Sequence, residues 1–534
     1  MPSGSPKDIP VVSGPWPRGL LSTLSERTTP HDGLREALNV EIGVGGDIRR
    51  RDGFSELKKP TDAYKTGPYP IEFFLSLGGR SVHQALWHPD GGAGTADGVT
   101  LKQMLVGEDG GLEDTALTTT FNVEKGLVSP VSNWETPVSF VDTGNGVVYA
   151  ACNRQVKVRD AATGAWIDLP SGETTDDRDW TPTDAENYDL RVGVTPNGTD
   201  AGFFPAADVI GRWSAGQGEV ILAAVGVLLR WSFPLRRVFL DDGTRRTAGF
   251  QDWAEVDKTL FPAGTVITGL LQFKDLLFVF SRDKIWRMYG TPERFQLSLV
   301  SNRLGAASNQ TVAAAADRVV FYDEGTRSLW QTDGSETSDL WALSVRVPPE
   351  YLGRWVKVLD QRVFVGVQSP TGSLIYVTDL RTNATTCWDI PLTAAGVVDT
   401  RSVEQIVGGT ATSGDGVGLL YRKGNTNPSL DDYGIQPARF DSFIRPPRFV
   451  PQPAHQRARW RWVRGTGREG ASAVTVAVDG GEATVRQPRW RGASWDYGLL
   501  RKFGQRADVV VRFNDSGVRM SEITAAYWPG LRRF

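Results

Sequence analysis

Four histidines and two cysteines are all that this chain offers as soft metal ligands or as partners for a nucleophile. His83 and His88 stand five apart with no cysteine beside them, and His31 and His455 are isolated. A structural zinc centre takes four Cys or His ligands in short paired spacings, so no metal and no other cofactor is expected. Nucleophilic catalysis needs a base held against a Ser or Cys. The chain has no Gly-x-Ser-x-Gly elbow and no Gly-Lys-Ser/Thr phosphate loop. Cys152 and Cys387 lie beside strand-like runs and read as small core residues. Two cysteines also make no disulfide framework, which fits folding in a reducing cytoplasm. Glycoside hydrolysis would need two carboxylates roughly 5–10 Å apart, and 62 acidic residues could always furnish such a pair.

A repeated Asp-box turn would make that chemistry specific. The nearest approach is Tyr322–Trp330 (YDEGTRSLW), where Asp323 and Gly325 fit but Trp330 falls two residues late. We therefore expect a protein that is not an enzyme, with a carbohydrate-degrading enzyme as the weaker alternative.

Charged stretches point to contacts instead. In Arg457–Arg464 (RARWRWVR) basic and aromatic residues alternate. Such a run can stack bases and meet phosphates, but in a strand the period of two puts Ala458, Trp460 and Trp462 inward. Arg457, Arg459 and Arg461 then face out, as candidate contacts with a neighbouring protein. Arg49, Arg50 and Arg51 form a second basic run, and Glu173, Asp176, Asp177 and Asp179 open an acidic stretch inside a long insertion, 171–218. The formal net charge of −3 argues against coating nucleic acid, because that needs excess Lys and Arg to neutralise phosphates.

The elements that must carry these residues are strands. Gly 59 and Pro 31 punctuate turns, while Trp 18 and Phe 23 fill pleated surfaces. Runs at Asp275–Phe280, Arg318–Tyr322, Arg362–Val367 and Val403–Val407, aligned on Leu276, Val319, Val363 and Ile406, recur at 43, 44 and 43 residues. A pitch of 40–50 is that of β-propeller blades, each a small four-stranded sheet. Val156–Pro170 and Ile375–Pro391 share a hairpin plan of strand, Asp, polar turn and Trp. The longest apolar run, Val220–Leu229, is too short to span a bilayer and reads as core. The opening MPSGSPKDIP has no apolar signal region. The expectation is an all-β chain: an extended N-terminal arm (1–33), a β-propeller body (34–431) and a small β-sandwich-like domain (432–534). Six blades are preferred, with five and seven open.

Leu34–Phe54 (LREALNVEIGVGGDIRRRDGF) carries a more specific signal. Its Ala37, Asn39, Val40, Gly46, Ile48, Arg49, Arg50, Arg51, Asp52 and Gly53 resemble the N-terminal signature of tail nozzle (tail tubular protein B-like) proteins of short-tailed double-stranded DNA phages. An Asp stands where many of that group have Pro. Gly264–Gly290 and Leu304–Gly334 resemble later segments of the same group through Gly269, Phe273, Asp275, Leu277, Ile285 and Gly290, then Gly305, Ser308, Val312, Val320, Gly325, Asp333 and Gly334. The resemblance touches about half the chain, in pieces. It implies a propeller body in a sixfold homo-oligomeric ring below the portal adaptor, in contact with tail fibres. The ring would hold packaged DNA and let it leave, without sequence-specific binding and without a membrane segment. A peripheral, non-catalytic propeller protein for receptor or fibre attachment is the other reading.

Overall fold

The fold is given by a computed structural model. It describes the strands named below and, almost without break, residues 253–342 and 345–400. Outside the described residues are 1–8, 23–28, 57–70, 89–96, 124–137, 160–165, 170–206, 233–252, 411–417, 422–440, 451–457 and 530–534, together with some shorter stretches.

Among the described residues the chain forms a β-propeller of seven four-stranded antiparallel blades, one more than the six preferred from the sequence; six are separate sheets and the other is part of a nine-stranded sheet. The first blade runs through Ile71–Ser76, Ser81–His88, Asp97–Val106 and Leu112–Val123. The second holds Ser139–Asp142, Val148–Cys152, Gln155–Arg159 and Trp166–Leu169, and the third Val209–Ala215, Gly218–Val225, Leu228–Ser232 and Trp253–Leu260. The fourth is Ile267–Phe273, Leu276–Ser281, Ile285–Thr291 and Arg294–Ser301, and the fifth Val312–Ala314, Val319–Asp323, Ser328–Thr332 and Thr337–Asp339. The sixth comprises Leu352–Leu359, Arg362–Ser369, Gly372–Asp379 and Thr385–Trp388. The seventh takes Leu392–Thr400, Val403–Thr410 and Gly418–Tyr421 from one end of the chain and Phe54–Glu56 from the other.

First strands of successive blades lie side by side from the second to the seventh, and that of the seventh meets that of the first; the first and second blades touch through their fourth strands, Leu112–Val123 and Trp166–Leu169. Leu276, Val319, Val363 and Ile406 all fall in second strands, of blades four to seven, so the sequence pitch is the blade repeat. The expected insertion ends earlier than 218, because Val209–Ala215 is the first strand of the third blade and buries Trp213. Val220–Leu229 folds back as a hairpin at Gly226 and is core, as its apolar pattern implies.

Aromatic side chains fill the seams between blades. Phe295 of the fourth blade packs between Trp213 and Trp231 of the third at 4.4 and 4.7 Å. Phe280 meets Phe321 at 5.7 Å, and Trp341 bridges Tyr322 and Tyr376 at 6.1 and 5.3 Å. Such pairs add about 0.5–1.5 kcal/mol each beyond the area they bury.

The C-terminal residues form a two-sheet unit, and the N-terminal residues are built into it. Ile9–Ser13 pairs antiparallel with Arg519–Pro529, and so does one strand of the hairpin Val40–Ile42/Ile48–Arg50. Ile9–Ser13, within the stretch read as an arm, is thus paired on its own chain. The other sheet continues the sixth blade: Glu36–Leu38 lies between Thr385–Trp388 and Phe443–Arg445, and the sheet runs on through Ala507–Phe513, Ser472–Val478 and Thr484–Arg486. One hydrophobic core runs from the fifth and sixth blades into this unit, through Tyr322, Val365, Leu34, Val40 and Ile444 to Trp460, Val511 and Ile523.

Gly305 shows how tightly the blades are joined. A Cβ there would lie 2.1 Å from the Ser281 carbonyl oxygen and 2.4 Å from the Arg282 carbonyl carbon, both backbone atoms. Gly305→Ala is expected to destabilise the protein by about 2–3 kcal/mol. In urea the midpoint should fall with the slope unchanged; a variant as stable as the parent would contradict the packing described.

Candidate functional site

Several residues of the Leu34–Phe54 stretch converge on one buried polar seam between the N-terminal hairpin, the sixth blade and the C-terminal sheets. Asn39 is its hub, fully buried and in the left-handed conformation at φ 52°, which asparagine tolerates better than most residues. Its backbone N–H donates to the Cys387 carbonyl at 2.8 Å, and its carbonyl accepts from Ser442 Oγ at 2.7 Å and from the Arg51 N–H at 3.1 Å. Its Nδ2 donates to the Asp441 carbonyl at 2.7 Å and to Asp389 Oδ1. Its Oδ1 accepts from Arg51 Nε at 3.0 Å and from the Asp389 N–H at 3.2 Å. One side chain thus ties residues some 350 and 400 positions away into a single joint.

The arginines serve the same joint. Arg51 is fully buried, with its guanidinium 5.6 Å from the centre of the Trp388 ring, and Trp388 Nε1 donates to the Val40 carbonyl at 3.1 Å. Arg50 is also buried, opposite Val40 in the hairpin. Arg49 is half-exposed and grips Glu41 through Nε at 3.0 Å and Nη2 at 2.5 Å. The same Glu41 carboxylate, 2% exposed, takes Arg362 of the sixth blade at 3.2 Å. From the sequence these three arginines could reach a neighbouring subunit's carboxylates or phosphate, or form a solvated basic strand edge; in this chain Arg50 and Arg51 are buried. A buried guanidinium must be paired and hydrogen-bonded to offset its desolvation, and the hairpin supplies that environment.

Gly46 has a steric reason to be glycine. Its φ is +80°, and a Cβ there would meet Pro17 N and Trp16 N at 2.7 Å, where the N-terminal segment crosses the hairpin. The Trp16 N–H donates to the Gly46 carbonyl at 3.0 Å. Ile48 is buried in the core, and Gly53 is buried just before the strand that closes the seventh blade.

The other expected site residues lie elsewhere. Glu173, Asp176, Asp177, Asp179 and Arg457 fall outside the described residues. Arg459 and Arg461 are half-buried in Ala458–Arg468. A β-bulge between Trp460 and Trp462 breaks the expected alternation, so Trp460 and Val463 are both fully buried. Trp462 is instead half-exposed, with the Arg464 guanidinium 5.1 Å from its ring centre. The period-of-two reading of this strand therefore fails after Trp460, because the bulge resets which face each residue occupies.

Asp323 of the imperfect Asp-box turn is buried and fully occupied. Its Oδ1 accepts from the Gly305 N–H at 2.9 Å, and its Oδ2 from the Thr326 N–H at 2.7 Å and Thr326 Oγ1 at 2.8 Å. Asp379 plays a like part in the Ile375–Pro391 hairpin, where its carboxylate takes the Arg381 N–H at 2.9 Å. Both thiols are unpaired with each other, and burial pushes the Cys152 and Cys387 thiols up to about 12. Among the described residues no group of three or more His, Cys, Asp or Glu could hold a metal ion, and no helix is long and apolar enough to cross a membrane.

Glu41, Arg362, Asp389 and Ser442 were not singled out from the sequence. Only Glu41 left a local trace, as a carboxylate flanked by β-branched residues beside three arginines.

No family model matches the chain, and no curated protein matches it. Among solved structures it is similar to PorZ, a bacterial surface component of the type-IX secretion system of Porphyromonas gingivalis, at 12% identity and a TM-score of 0.34. That likeness covers 79% of this chain and 46% of PorZ, so the chain spans less than half the length of that protein. It is also similar to the Pan2 WD40 domain of Neurospora crassa (12% identity, TM-score 0.34, covering 70% of this chain and 95% of that one). The β-propeller domain of the Trilobed protease from Pyrococcus furiosus follows at 9% identity and a TM-score of 0.31, covering 68% and 98%. These are likenesses of fold and assign no activity.

Asn39→Ala should destabilise the chain by about 3 kcal/mol, since it strands buried partners and keeps a strained φ. Asn39→Gly should cost about 1 kcal/mol less, because glycine relieves the strain; thermal and urea unfolding of the two variants give the order. For the cysteines, a colorimetric thiol assay at pH 8 should find both reactive in denaturant and Cys152 silent in the native protein. Rapid native labelling of Cys152 would contradict its burial.

Proposed function

We propose that this chain is a structural, non-catalytic component of a phage tail: a nozzle subunit that joins further copies in a sixfold ring below the portal adaptor. In this reading the ring extends the DNA channel, retains packaged DNA and lets it exit on infection. Its partners are other copies of the chain, the adaptor and tail fibres, and the duplex passes without sequence-specific contact. The protein assembles in the host cytoplasm and resides in the virion.

The observation that carries the reading is the use made of the nozzle-like signature. Asn39 with Arg51 ties the sixth blade to the C-terminal sheets, Ile48 pairs with the C-terminal strand, Arg49 and Arg50 brace the hairpin that carries them, and Gly46 seats the N-terminal segment on it, an architectural use that suits a rigid ring subunit. A second feature refines it. Asn309 Nδ2 donates to Ser139 Oγ at 2.6 Å, linking the fifth blade to the second, three places round the ring. That contact lies between non-neighbouring blades, which suits a reading in which the duplex path runs between copies rather than through one propeller. A net charge of −3 suits a lumen that does not hold phosphates.

Cryo-electron microscopy of the intact particle tests this. The expected map has six copies of the propeller around the DNA axis, with each propeller axis outside the lumen. Copies away from the axis, or with other symmetry, would refute the nozzle assignment.

A further inference from the structure

We propose that the outer face of the C-terminal unit is a docking surface for the propeller of a second copy of this chain, held by arginine against carboxylate. The inference rests on the reading that copies of the chain join, and it names the faces that meet.

Charge is divided unevenly along the chain. Residues 54–442, which hold the propeller, carry 35 Lys and Arg against 48 Asp and Glu. Residues 443–534 carry 17 against 7. The N-terminal stretch 9–53, whose strands are woven into the C-terminal unit, is balanced, with six of each. A chain that is near neutral as a whole therefore joins an acidic body to a basic unit. Seven carboxylates cannot pair 17 bases, and one of the seven, Asp508, already draws three arginines. Sixteen of the 17 bases are arginines, and Lys502 is the other. Protein interfaces favour arginine and disfavour lysine, whereas phosphate takes either. The composition thus favours a carboxylate-bearing protein surface over a nucleic acid.

Part of the surplus lies on one face of the sheet that pairs Ala458–Arg468 with Arg519–Pro529. Trp460, Val463, Met520 and Ile523 point from that sheet into the core. The opposite face presents Trp462 and Arg464 from one strand and Arg519 from the next. Arg464 and Arg519 are exposed, and Trp462 is half-exposed with the Arg464 guanidinium 5.1 Å from its ring centre. Val12, paired opposite Thr524 at the edge of the same sheet, adds apolar surface at 42% exposure. Glu522 also lies here, and its carboxylate accepts from Thr524 Oγ1 at 3.1 Å. Apolar surface rimmed by arginines is the anatomy of a protein interface. Two such basic faces repel one another, so copies do not meet face to face through them. The acidic propeller of the next copy is the complementary surface. A head-to-tail contact of this kind closes into a ring or extends into an open chain.

Sedimentation velocity of the full-length protein tests the proposal. At about 50 mM NaCl the chain should self-associate as its concentration rises, and at about 500 mM it should dissociate, because salt screens exposed charges. This salt series uses the unaltered protein and does not depend on how a variant folds. Arg464→Glu combined with Arg519→Glu should weaken the association about tenfold or more at low salt. A chain that stays monomeric at both salts, or association indifferent to salt or to the double variant, would overturn the proposal. Fluorescence anisotropy of a labelled DNA duplex covers the other polyanion. Duplex binding that the double variant loses, without self-association, would assign the face to nucleic acid and overturn the proposal. Failure of the nozzle reading is distinct. Six copies round the DNA axis that meet through other faces would refute this contact and leave the nozzle standing. Salt-labile association through this face, with copies off the axis in the particle, would do the reverse.

Discussion

Everything in this molecule depends on a buried asparagine that has no unsatisfied atom to spare. Asn39 sits where the N-terminal hairpin, the sixth blade and the C-terminal sheets meet, and it gives each of them a hydrogen bond. Buried polar groups are costly unless every donor and acceptor is matched. Matching them here requires all three elements in place at once. The joint thus couples the geometry of the propeller to that of the C-terminal unit, and Glu41 reinforces it with Arg49 on one side and Arg362 on the other.

Around that joint the structure is repetitive and its energetics ordinary. Seven small sheets bury aromatic side chains against each other. Turn carboxylates such as Asp323 and Asp379 are fully used in holding backbone N–H groups. Residues that resemble catalytic motifs on paper are thereby committed to the scaffold. Asp508 is a further case, drawing Arg35, Arg445 and Arg448 to within 3.5, 3.9 and 3.6 Å at the edge of the C-terminal sheets.

How much of this could be read in advance depended on how local each cause is. The blade pitch was legible because Leu276, Val319, Val363 and Ile406 repeat the same strand of successive blades, and in the fourth, fifth and sixth blades that apolar second strand is almost wholly buried. The hairpin turns were legible through Gly46 and the Asp residues, whose conformational and hydrogen-bonding reasons act over a few positions. The count of seven was not legible, and the closing strand of the seventh blade, Phe54–Glu56, was hidden because it is three residues long and its partner lies far along the chain. The partners of Asn39 were hidden for the same reason. Trp462 was misread because a bulge shifts a strand's faces without changing its composition. The burial of Arg50 and Arg51 ran against the usual exposure of arginine, and only the tertiary partners account for it.

The N-terminal strands carry one more implication, about time. Ile9–Ser13, Glu36–Leu38 and Phe54–Glu56 are synthesised hundreds of residues before their mates, near residues 523, 444 and 420. Neither the seventh blade nor the C-terminal unit can be finished on the ribosome until those later residues have emerged. Until then the nascent chain presents unpaired strand edges, which invite pairing with another molecule. Two copies made side by side could trade their leading strands and end as an intertwined pair, each sealed by the other's beginning.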